Sequence, residues 1–217
     1  MNFVLLIPAF NEAETIKTVV QGCLAYGDVL VVDDGSTDGT SQLALEGGAK
    51  VLKNDENVGY ARTLMNGIEH LKDQYDFIII IDADGEINPR IYNNILNDFS
   101  DETFYIGNRL TKNRKIENLI SYTLKYFIKI DDIFCGTYII PTKLLREIGS
   151  QQIIVDEALV GLKLALNLFS NQTLNIPFEP GKRVGVSRFG SGWLYDLKLL
   201  YSLIKGIKFA FNIKKNN

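Results

Sequence analysis

Residues 78–86 combine the pattern of a buried strand with a group of acids. The run of four isoleucines at 78–81 predicts a strand that is covered on both faces, because β-branched side chains suit a buried pleated surface. Asp82, Asp84 and Glu86 follow at alternate positions, and alternate residues of an extended chain share one side. Clustered carboxylates repel each other unless a cation lies among them, and oxygen ligands suit Mg²⁺ or Mn²⁺. The stretch therefore predicts a divalent-metal site, with a solvated acidic turn as the alternative.

The composition restricts the class of protein. With 217 residues and 46% hydrophobic side chains, the chain can bury a substantial core in one domain. A formal net charge of −3 gives no indication of a nucleic-acid partner. Cys23 and Cys135 are too few for a disulfide framework and indicate free thiols in a reducing compartment. The first residues lack the features of a signal peptide and no apolar run has the length of a membrane span, so we expect a cytoplasmic protein without a transmembrane helix.

Short apolar runs alternate with helical patterns in the first half, which predicts an α/β fold with a mainly parallel sheet and helices on both faces. In such sheets, ligands bind beyond the carboxyl ends of the strands. Polar segments follow three predicted strands, at 8–12, 33–35 and 82–84, so we expect them to share one edge as a single site. Asn11 is expected to cap the helix after the first strand. The predicted strands are 3–7, 29–32, 50–52, 77–81, 103–106, 133–140 and 172–176, and the predicted helices include 59–71, 89–99, 116–130, 152–169 and 193–213.

Four segments together carry a resemblance that no single motif could. They are Ile7-Pro8-Ala9-Phe10-Asn11-Glu12, Val31-Val32-Asp33-Asp34-Gly35-Ser36-Thr37-Asp38, Asn57-Val58-Gly59-Tyr60-Ala61-Arg62 and Asp82-Ala83-Asp84-Gly85-Glu86. In order and spacing they resemble the family 2 glycosyltransferases of GT-A fold. The resemblance implies a nucleotide diphosphate sugar as donor and a divalent cation, Mg²⁺ or Mn²⁺, on its diphosphate.

The same resemblance assigns roles to individual residues. It implies metal ligation by Asp82, Asp84 and Glu86, with Asp84 the most important. A tyrosine is commoner in the family at the position of Phe10, so stacking on the base must replace a phenol contact. The residues expected to contact the nucleotide part of the donor are Pro8, Phe10, Asn11, Glu12, Asp33, Asp34, Asp82 and Ala83.

The second half resembles a narrower branch, the dolichol-phosphate mannose synthases and related polyprenyl-phosphate glycosyltransferases. The segments that carry this resemblance are Gly107-Asn108-Arg109, Asp132-Ile133-Phe134-Cys135-Gly136 and Lys182-Arg183-Val184-Gly185-Val186-Ser187-Arg188. It implies inverting transfer to a polyprenyl phosphate, which is already an anionic nucleophile and needs no general base. Basic side chains must gather that phosphate, and Arg109, Lys182 and Arg188 are the candidates beside the catalytic Asp84. For residues 182–188 the alternative is a solvated basic loop.

Two other functions remain open. Transfer to a sugar or protein hydroxyl would require a general base, for which Asp156 and Glu157 are the candidates. These acids could instead only favour the dipole of a helix N-terminus. A nucleotide-sugar binder without catalysis is the second alternative, but the joint presence of Glu12, Asp34 and the Asp82–Asp84 pair argues against it.

The chain end differs in composition from the rest. We divide the chain into a catalytic domain of residues 1–190 and a basic helical tail of residues 191–217. From Trp193 onward there are five lysines against one acid, Asp196. An apolar stripe with flanking lysines can lie in a membrane interface, so we expect peripheral contact at the cytoplasmic face. Packing on the domain or on a partner subunit is the alternative, and the sequence is compatible with a homo-oligomer. The stripe consists of Trp193, Leu197, Leu200, Ile204, Ile207 and Phe211.

Overall fold

The structure, a computed structural model, describes residues 1–93, 95–96, 98–111, 115–124, 128–149, 159–182 and 193–216. In its first half the elements are β1 (Phe3–Ala9), α1 (Ile16–Cys23), β2 (Asp28–Asp33), α2 (Thr40–Gly47), β3 (Lys50–Lys53), α3 (Tyr60–Leu71) and β4 (Phe77–Ile80). The second half contains β5 (Thr103–Arg109), α4 (Lys115–Leu124), β6 (Tyr138–Pro141), α5 (Thr142–Ile148), α6 (Val160–Phe169), β7 (Gln172–Phe178) and α7 (Trp193–Asn216).

The seven strands form one sheet in the order β3-β2-β1-β4-β6-β5-β7. All neighbouring strands are parallel except β6, which runs antiparallel to β4 and to β5. The predicted mainly parallel sheet is therefore confirmed. Because β6 is reversed, the segment that leads into it reaches the same edge as the carboxyl ends of β4 and β5. That edge collects the polar ends of most strands.

The core lies on both sides of the central strands. Ile78, Ile79, Ile80 and Ile81 are all fully buried, as the isoleucine run predicts. On one face, α3 approaches the sheet closely at Gly67. A Cβ atom at Gly67 would lie 2.6 Å from Leu6 Cδ1 and 2.9 Å from a methyl group of Val32, so only glycine permits this packing.

Several predicted helices have different bounds in the structure. In place of the helix predicted over 89–99, a short 3₁₀ turn covers Pro89–Tyr92, where Asn88 Oδ1 accepts from the N–H of Arg90 at 3.0 Å. The helix predicted over 116–130 is shorter, because the described helix covers Lys115–Leu124 and residues 128–130 are not helical. Of the helix predicted over 152–169, the described part begins at Val160.

Helix α7 packs on α6 through one of its faces. A Cβ atom at Gly206 would lie 2.8 Å from the backbone nitrogen of Gly161 and 2.8 Å from Val160 Cγ1, so the two helices cross closely there. Among the α7 residues whose side chains the structure describes, the buried ones share a single helix face and are Leu199, Ser202, Gly206, Phe209 and Ala210. Within the described residues, none of the helices combines the length and hydropathy of a membrane span. The division at residue 190 stays a prediction.

Candidate active site

The loops that follow β1 and β2 are joined at the polar edge by Asn11. Its N–H donates to Ser36 Oγ at 2.8 Å, and its Oδ1 accepts from the N–H of Thr37 at 3.1 Å. Asn11 has a φ of 52°, a left-handed conformation that asparagine tolerates better than most residues. The prediction that Asn11 caps α1 is wrong, because that helix begins only at Ile16.

Glu12 belongs to the same connection. Its N–H donates to Thr40 Oγ1 at 2.8 Å, and its Oε2 accepts from Thr15 Oγ1 at 3.1 Å. Just before it, Pro8 is buried in β1 and Phe10 is partly buried at the strand end. These residues do lie together at the edge. Their contacts with a nucleotide stay predictions.

Asp33 is fully buried at the end of β2. Its carboxylate accepts hydrogen bonds from the N–H of Ser36 at 2.8 Å and from Ser41 Oγ. Lys53 Nζ lies 4.0 Å from the same carboxylate. Asp33 therefore stabilises the conformation of the loop that follows its own strand.

Asp34 holds a different loop, the one that opens α3. Its carboxylate accepts from the N–H groups of Val58 at 2.9 Å and Gly59 at 3.0 Å, and from Asn54 Nδ2 at 3.0 Å. Burial raises the pKa of Asp34, but these hydrogen bonds outweigh burial and leave the pKa below its usual value. The side chain is therefore a charged support for residues 57–59, and its contact with a nucleotide stays a prediction.

The acidic segment after β4 turns instead of continuing as a strand. The strand ends at Ile80, Gly85 has a φ of 76°, and Asp84 Oδ1 accepts from the N–H of Glu86 at 2.9 Å. Among the described residues, no three His, Cys, Asp or Glu side chains are grouped as a metal-binding cluster. The expectation that an extended chain would bring Asp82, Asp84 and Glu86 together is therefore wrong in its geometry.

The carboxylate of Asp82 is fixed on two sides. Tyr60 donates from its hydroxyl group to Oδ1 at 3.2 Å. The pKa of Tyr60 is well above its usual value because the group is buried and lies beside the negative charge of Asp82. On the other side, Gly136 approaches so closely that a Cβ atom there would lie 1.8 Å from Oδ2. Ala83, next in the chain, is buried, as is Asp84.

The carboxylate oxygens of this turn are the kind of ligand that a divalent cation shared with a diphosphate requires. Magnesium in such sites is commonly held by one or two carboxylates, and substrate phosphates and water supply the remaining oxygens. Asp82 and Asp84 would supply two carboxylates of this kind, and their ligation of a cation stays a prediction. Ligation by Glu86, which is partly buried one turn further on, stays a prediction.

Arg109 ends β5 at the same edge and lies in a network of acids. Its Nε donates to Asp132 Oδ2 at 2.8 Å, and its Nη2 donates to Asp132 Oδ1 and to Glu117 Oε2, each at 3.1 Å. Burial lowers the pKa of Arg109, but Asp132 and Glu117 outweigh it and raise the pKa above its usual value. These bonds use Nε and Nη2, so an acceptor phosphate, as predicted, would bind through Nη1 or replace one of these partners.

The basic segment begins beside the acidic turn. The N–H of Gly181 donates to the backbone carbonyl of Glu86 at 2.7 Å. The next residue, Lys182, is exposed. Arg188 and the two candidate bases, Asp156 and Glu157, lie outside the described residues, so their roles stay predictions.

Two contributors were missed at the level of sequence. The Tyr60 hydroxyl contact with Asp82 joins residues in different segments, and no local pattern indicates it. Lys163 is buried within α6, and its signal was a single charged residue inside the apolar stretch Val160–Phe169. Its Nζ donates to two backbone carbonyls in the segment before β6.

Comparison with a solved structure confirms the GT-A fold. The match is to glucosyl-3-phosphoglycerate synthase from Mycobacterium tuberculosis in complex with Mn²⁺, uridine diphosphate and glucosyl-3-phosphoglycerate. The TM-score is 0.69, with 17% sequence identity, over 94% of this chain and 79% of that chain.

Two curated relatives are glycosyltransferases, and the name of the first includes a dolichyl-phosphate acceptor. The UDP-N-acetylglucosamine–dolichyl-phosphate N-acetylglucosaminyltransferase of Methanococcus voltae is 28% identical over 142 residues, which are 53% of this chain and 55% of the relative. Glycosyltransferase AglJ of Haloferax volcanii is 37% identical over 84 residues, which are 37% of this chain and 27% of the relative. The chain thus spans about half or less of the length of these relatives.

The match to a whole-family model covers the larger part of the chain. The model described as "Glycosyl transferase family 2" matches residues 4–151, a range that includes every strand end described above except that of β7. The protein is a glycosyltransferase, and the chain belongs to glycosyltransferase family 2.

Proposed function

We propose that the protein is an inverting, metal-dependent glycosyltransferase that moves a sugar from a nucleotide diphosphate sugar to a polyprenyl phosphate. The observation that carries the proposal is the contact between the acidic turn and the basic segment. The hydrogen bond from Gly181 to Glu86, at 2.7 Å, brings Lys182 close to the turn that contains Asp82 and Asp84. A transferase that joins a diphosphate donor to a phosphate acceptor needs carboxylates that hold a cation and, beside them, positively charged side chains that hold the second phosphate.

In the donor half, the carboxylates of Asp82 and Asp84 would hold the cation. A bound Mg²⁺ or Mn²⁺ neutralises the developing charge on the leaving nucleotide diphosphate as a Lewis acid. Beyond β1 and β2, Phe10 would stack on the base, and Glu12 and Asp34 lie at the same edge. The Mn²⁺ and uridine diphosphate in the M. tuberculosis structure support this arrangement for the fold.

In the acceptor half, the phosphate oxygen itself attacks the anomeric carbon from the side opposite the leaving group, which inverts that carbon. Lys182 and Arg188 would offset the charge of a second phosphate group beside the first. No general base is needed, because a phosphate is ionised at neutral pH. The name of the M. voltae relative, which specifies a dolichyl-phosphate acceptor, supports this choice.

A lipid acceptor requires contact with a membrane, and the outward face of α7 offers one. Leu197, Leu200, Tyr201 and Ile204 are exposed at positions that share a single helix face. Exposed lysines 198, 205 and 208 lie on or beside this face. We call the four apolar residues the tail face, and we propose that it rests on an anionic membrane surface at the cytoplasmic side.

The proposal is tested by a transfer assay with radiolabelled UDP- and GDP-sugars and a short polyprenyl phosphate, with Mn²⁺ or with EDTA. We expect an organic-extractable product that requires metal and is lost in Asp84→Asn. A product only with sugar or protein acceptors, lost in Asp156→Asn or Glu157→Gln, would establish the hydroxyl reaction instead. Tight nucleotide binding by calorimetry without turnover on any acceptor would establish a binder.

A further inference from the structure

The carboxylate of Asp82 lies directly against the backbone of Gly136. A Cβ atom at position 136 would come 1.8 Å from Oδ2 and 2.6 Å from Cγ of Asp82. No side chain fits at that separation, so any residue larger than glycine must displace the carboxylate or the backbone. The other carboxylate oxygen, Oδ1, accepts a hydrogen bond from the hydroxyl group of Tyr60 at 3.2 Å. Asp82 is thus held between a hydrogen-bond donor and a glycine.

The glycine ends a short segment, residues 132–136, which we name the backing segment. At its start, Asp132 is fully buried and accepts a hydrogen bond from Nε of Arg109 at 2.8 Å. Immediately after its end, Thr137 Oγ1 donates to the carbonyl of Ile80 at 2.6 Å, in the strand that leads to the acidic turn. The backing segment is therefore tied to the sheet at both ends.

Between these ends, the backing segment is held by a buried lysine. Lys163 is 3% exposed, and its Nζ donates to the carbonyls of Ile133 at 3.1 Å and Cys135 at 2.9 Å. The ammonium group also lies 4.9 Å from the ring centroid of Tyr138, within cation–π distance. Burial of an ammonium group is costly even when it is hydrogen-bonded. A lysine in this apolar helix therefore points to a role in holding the two carbonyls.

We propose that Lys163 and Gly136 are positioning residues for Asp82. Lys163 holds the backing segment in place, and Gly136 lets that segment lie against the carboxylate, which leaves Asp82 in one orientation toward a divalent cation. The inference rests on the proposed function, because the cation belongs to that proposal. Both residues act through Asp82 and by this inference make no contact with donor or acceptor.

The contact between Gly136 and Asp82 is tested by a cycle of Gly136→Ala, Asp82→Ala and the double variant, followed by thermal unfolding. We expect Gly136→Ala to lower Tm by about 5 °C, because the new methyl group overlaps the carboxylate. In the Asp82→Ala background the carboxylate is gone, so the same change should lower Tm by far less. Equal shifts in both backgrounds would overturn the contact as the reason for glycine.

The role of Lys163 is tested by Mn²⁺ binding, measured from the electron paramagnetic resonance signal of free Mn²⁺. UDP or GDP is present, whichever the wild type binds more tightly. Lys163→Met keeps the length of the side chain and removes the charge. We expect Mn²⁺ affinity to fall about tenfold, the usual effect of losing a residue that orients a metal ligand. The control is Lys143→Met, since Lys143 pairs with Asp101 and Glu102 away from the acidic turn.

Unchanged Mn²⁺ affinity in a folded Lys163→Met protein would overturn the inference and leave the proposed function intact. If the wild type itself binds no Mn²⁺ with either nucleotide, the metal dependence of the proposed function fails, and the inference fails with it. If Lys163→Met does not fold, Gly136→Ala takes its place in the Mn²⁺ measurement at a temperature well below its Tm. A fall of about tenfold is again expected, and unchanged affinity again overturns the inference.

Discussion

The guanidinium of Arg109 meets the carboxylate of Asp132 through two parallel hydrogen bonds, from Nε to Oδ2 at 2.8 Å and from Nη2 to Oδ1 at 3.1 Å. Asp132 is fully buried, and the Arg109 side chain is 17% exposed. Two-point pairing of this kind depends on the planar fork of arginine, which lysine lacks. The pair also anchors the backing segment that lies behind Asp82.

The substitution Arg109→Lys should therefore destabilise the protein. We expect it to lower the free energy of unfolding by about 3 kcal/mol, because the buried Asp132 loses half of its pairing. Urea unfolding at neutral pH measures this change. The KM for polyprenyl phosphate distinguishes the predicted role at the acceptor: a rise in KM in a variant of unchanged stability would show that Arg109 binds the acceptor phosphate and that its ion pair matters little.

Tyr60→Phe removes only the hydroxyl group that Asp82 accepts. Because burial and the charge of Asp82 raise the pKa of Tyr60, the hydroxyl stays protonated and donates throughout the neutral pH range. We expect Mn²⁺ affinity in the presence of nucleotide to fall about tenfold, the lower end of the effect of one hydrogen bond to a charged group.

A matched control exists for this change at the opposite edge of the sheet. Tyr75 donates to Asp28 Oδ2 at 2.7 Å, at the start of β2. Tyr75→Phe should leave Mn²⁺ affinity unchanged. Equal losses in the two phenylalanine variants would contradict a specific role for Tyr60.

Asp34→Asn tests the charged support of residues 57–59 through its pH dependence. Above the ordinary carboxyl pKa of about 4, Asp34 is ionised and accepts three hydrogen bonds. The free energy of unfolding of the wild type should therefore exceed that of the variant by about 2 kcal/mol. The pKa of Asp34 is lowered in the folded protein, so this advantage is lost as the pH falls through that lowered value. Urea unfolding at pH 7 and at acid pH should show the difference shrink, and a difference that is independent of pH would contradict the account.

The tail face predicts binding to anionic vesicles. Leu197 and Ile204 are 52% and 53% exposed on α7, and replacement of both by glutamine should weaken binding to phosphatidylglycerol vesicles at least tenfold. Leu45→Gln is the control, because Leu45 is equally exposed, at 54%, on α2. Salt should weaken wild-type binding, since lysines contribute. Full release of the wild type from anionic vesicles at low salt would argue against membrane contact.

The features that sequence predicts well here depend on local pattern. The isoleucines of 78–81 are buried on both faces because β-branched residues in an unbroken run suit only a covered strand. The polar ends of β1, β2 and β4 meet because parallel strands share their carboxyl edge. Both conclusions need only the alternation of elements and no knowledge of side-chain partners.

The features that sequence misses depend on contacts between distant segments or on a single local bond. The acidic segment turns because Asp84 accepts from the N–H of Glu86 and Gly85 adopts a positive φ, and alternate spacing cannot reveal either. Lys163 finds its carbonyl partners about thirty residues earlier in the chain. On α7, Leu199 and Phe209 are buried, although they lie off the predicted stripe, and the close approach of α7 to α6 at Gly206 shows that the helix packs on the domain.

The central claim is that the acceptor is a phosphate, and the most direct measurement compares two acceptors that differ only in that group. Transfer of radiolabelled sugar is measured with Mn²⁺ to a short polyprenyl phosphate and to the corresponding polyprenol. The account predicts a product with the phosphate alone, retained in Asp156→Asn and Glu157→Gln because no general base is needed. Transfer to the polyprenol at a comparable rate, abolished in either variant, would contradict it.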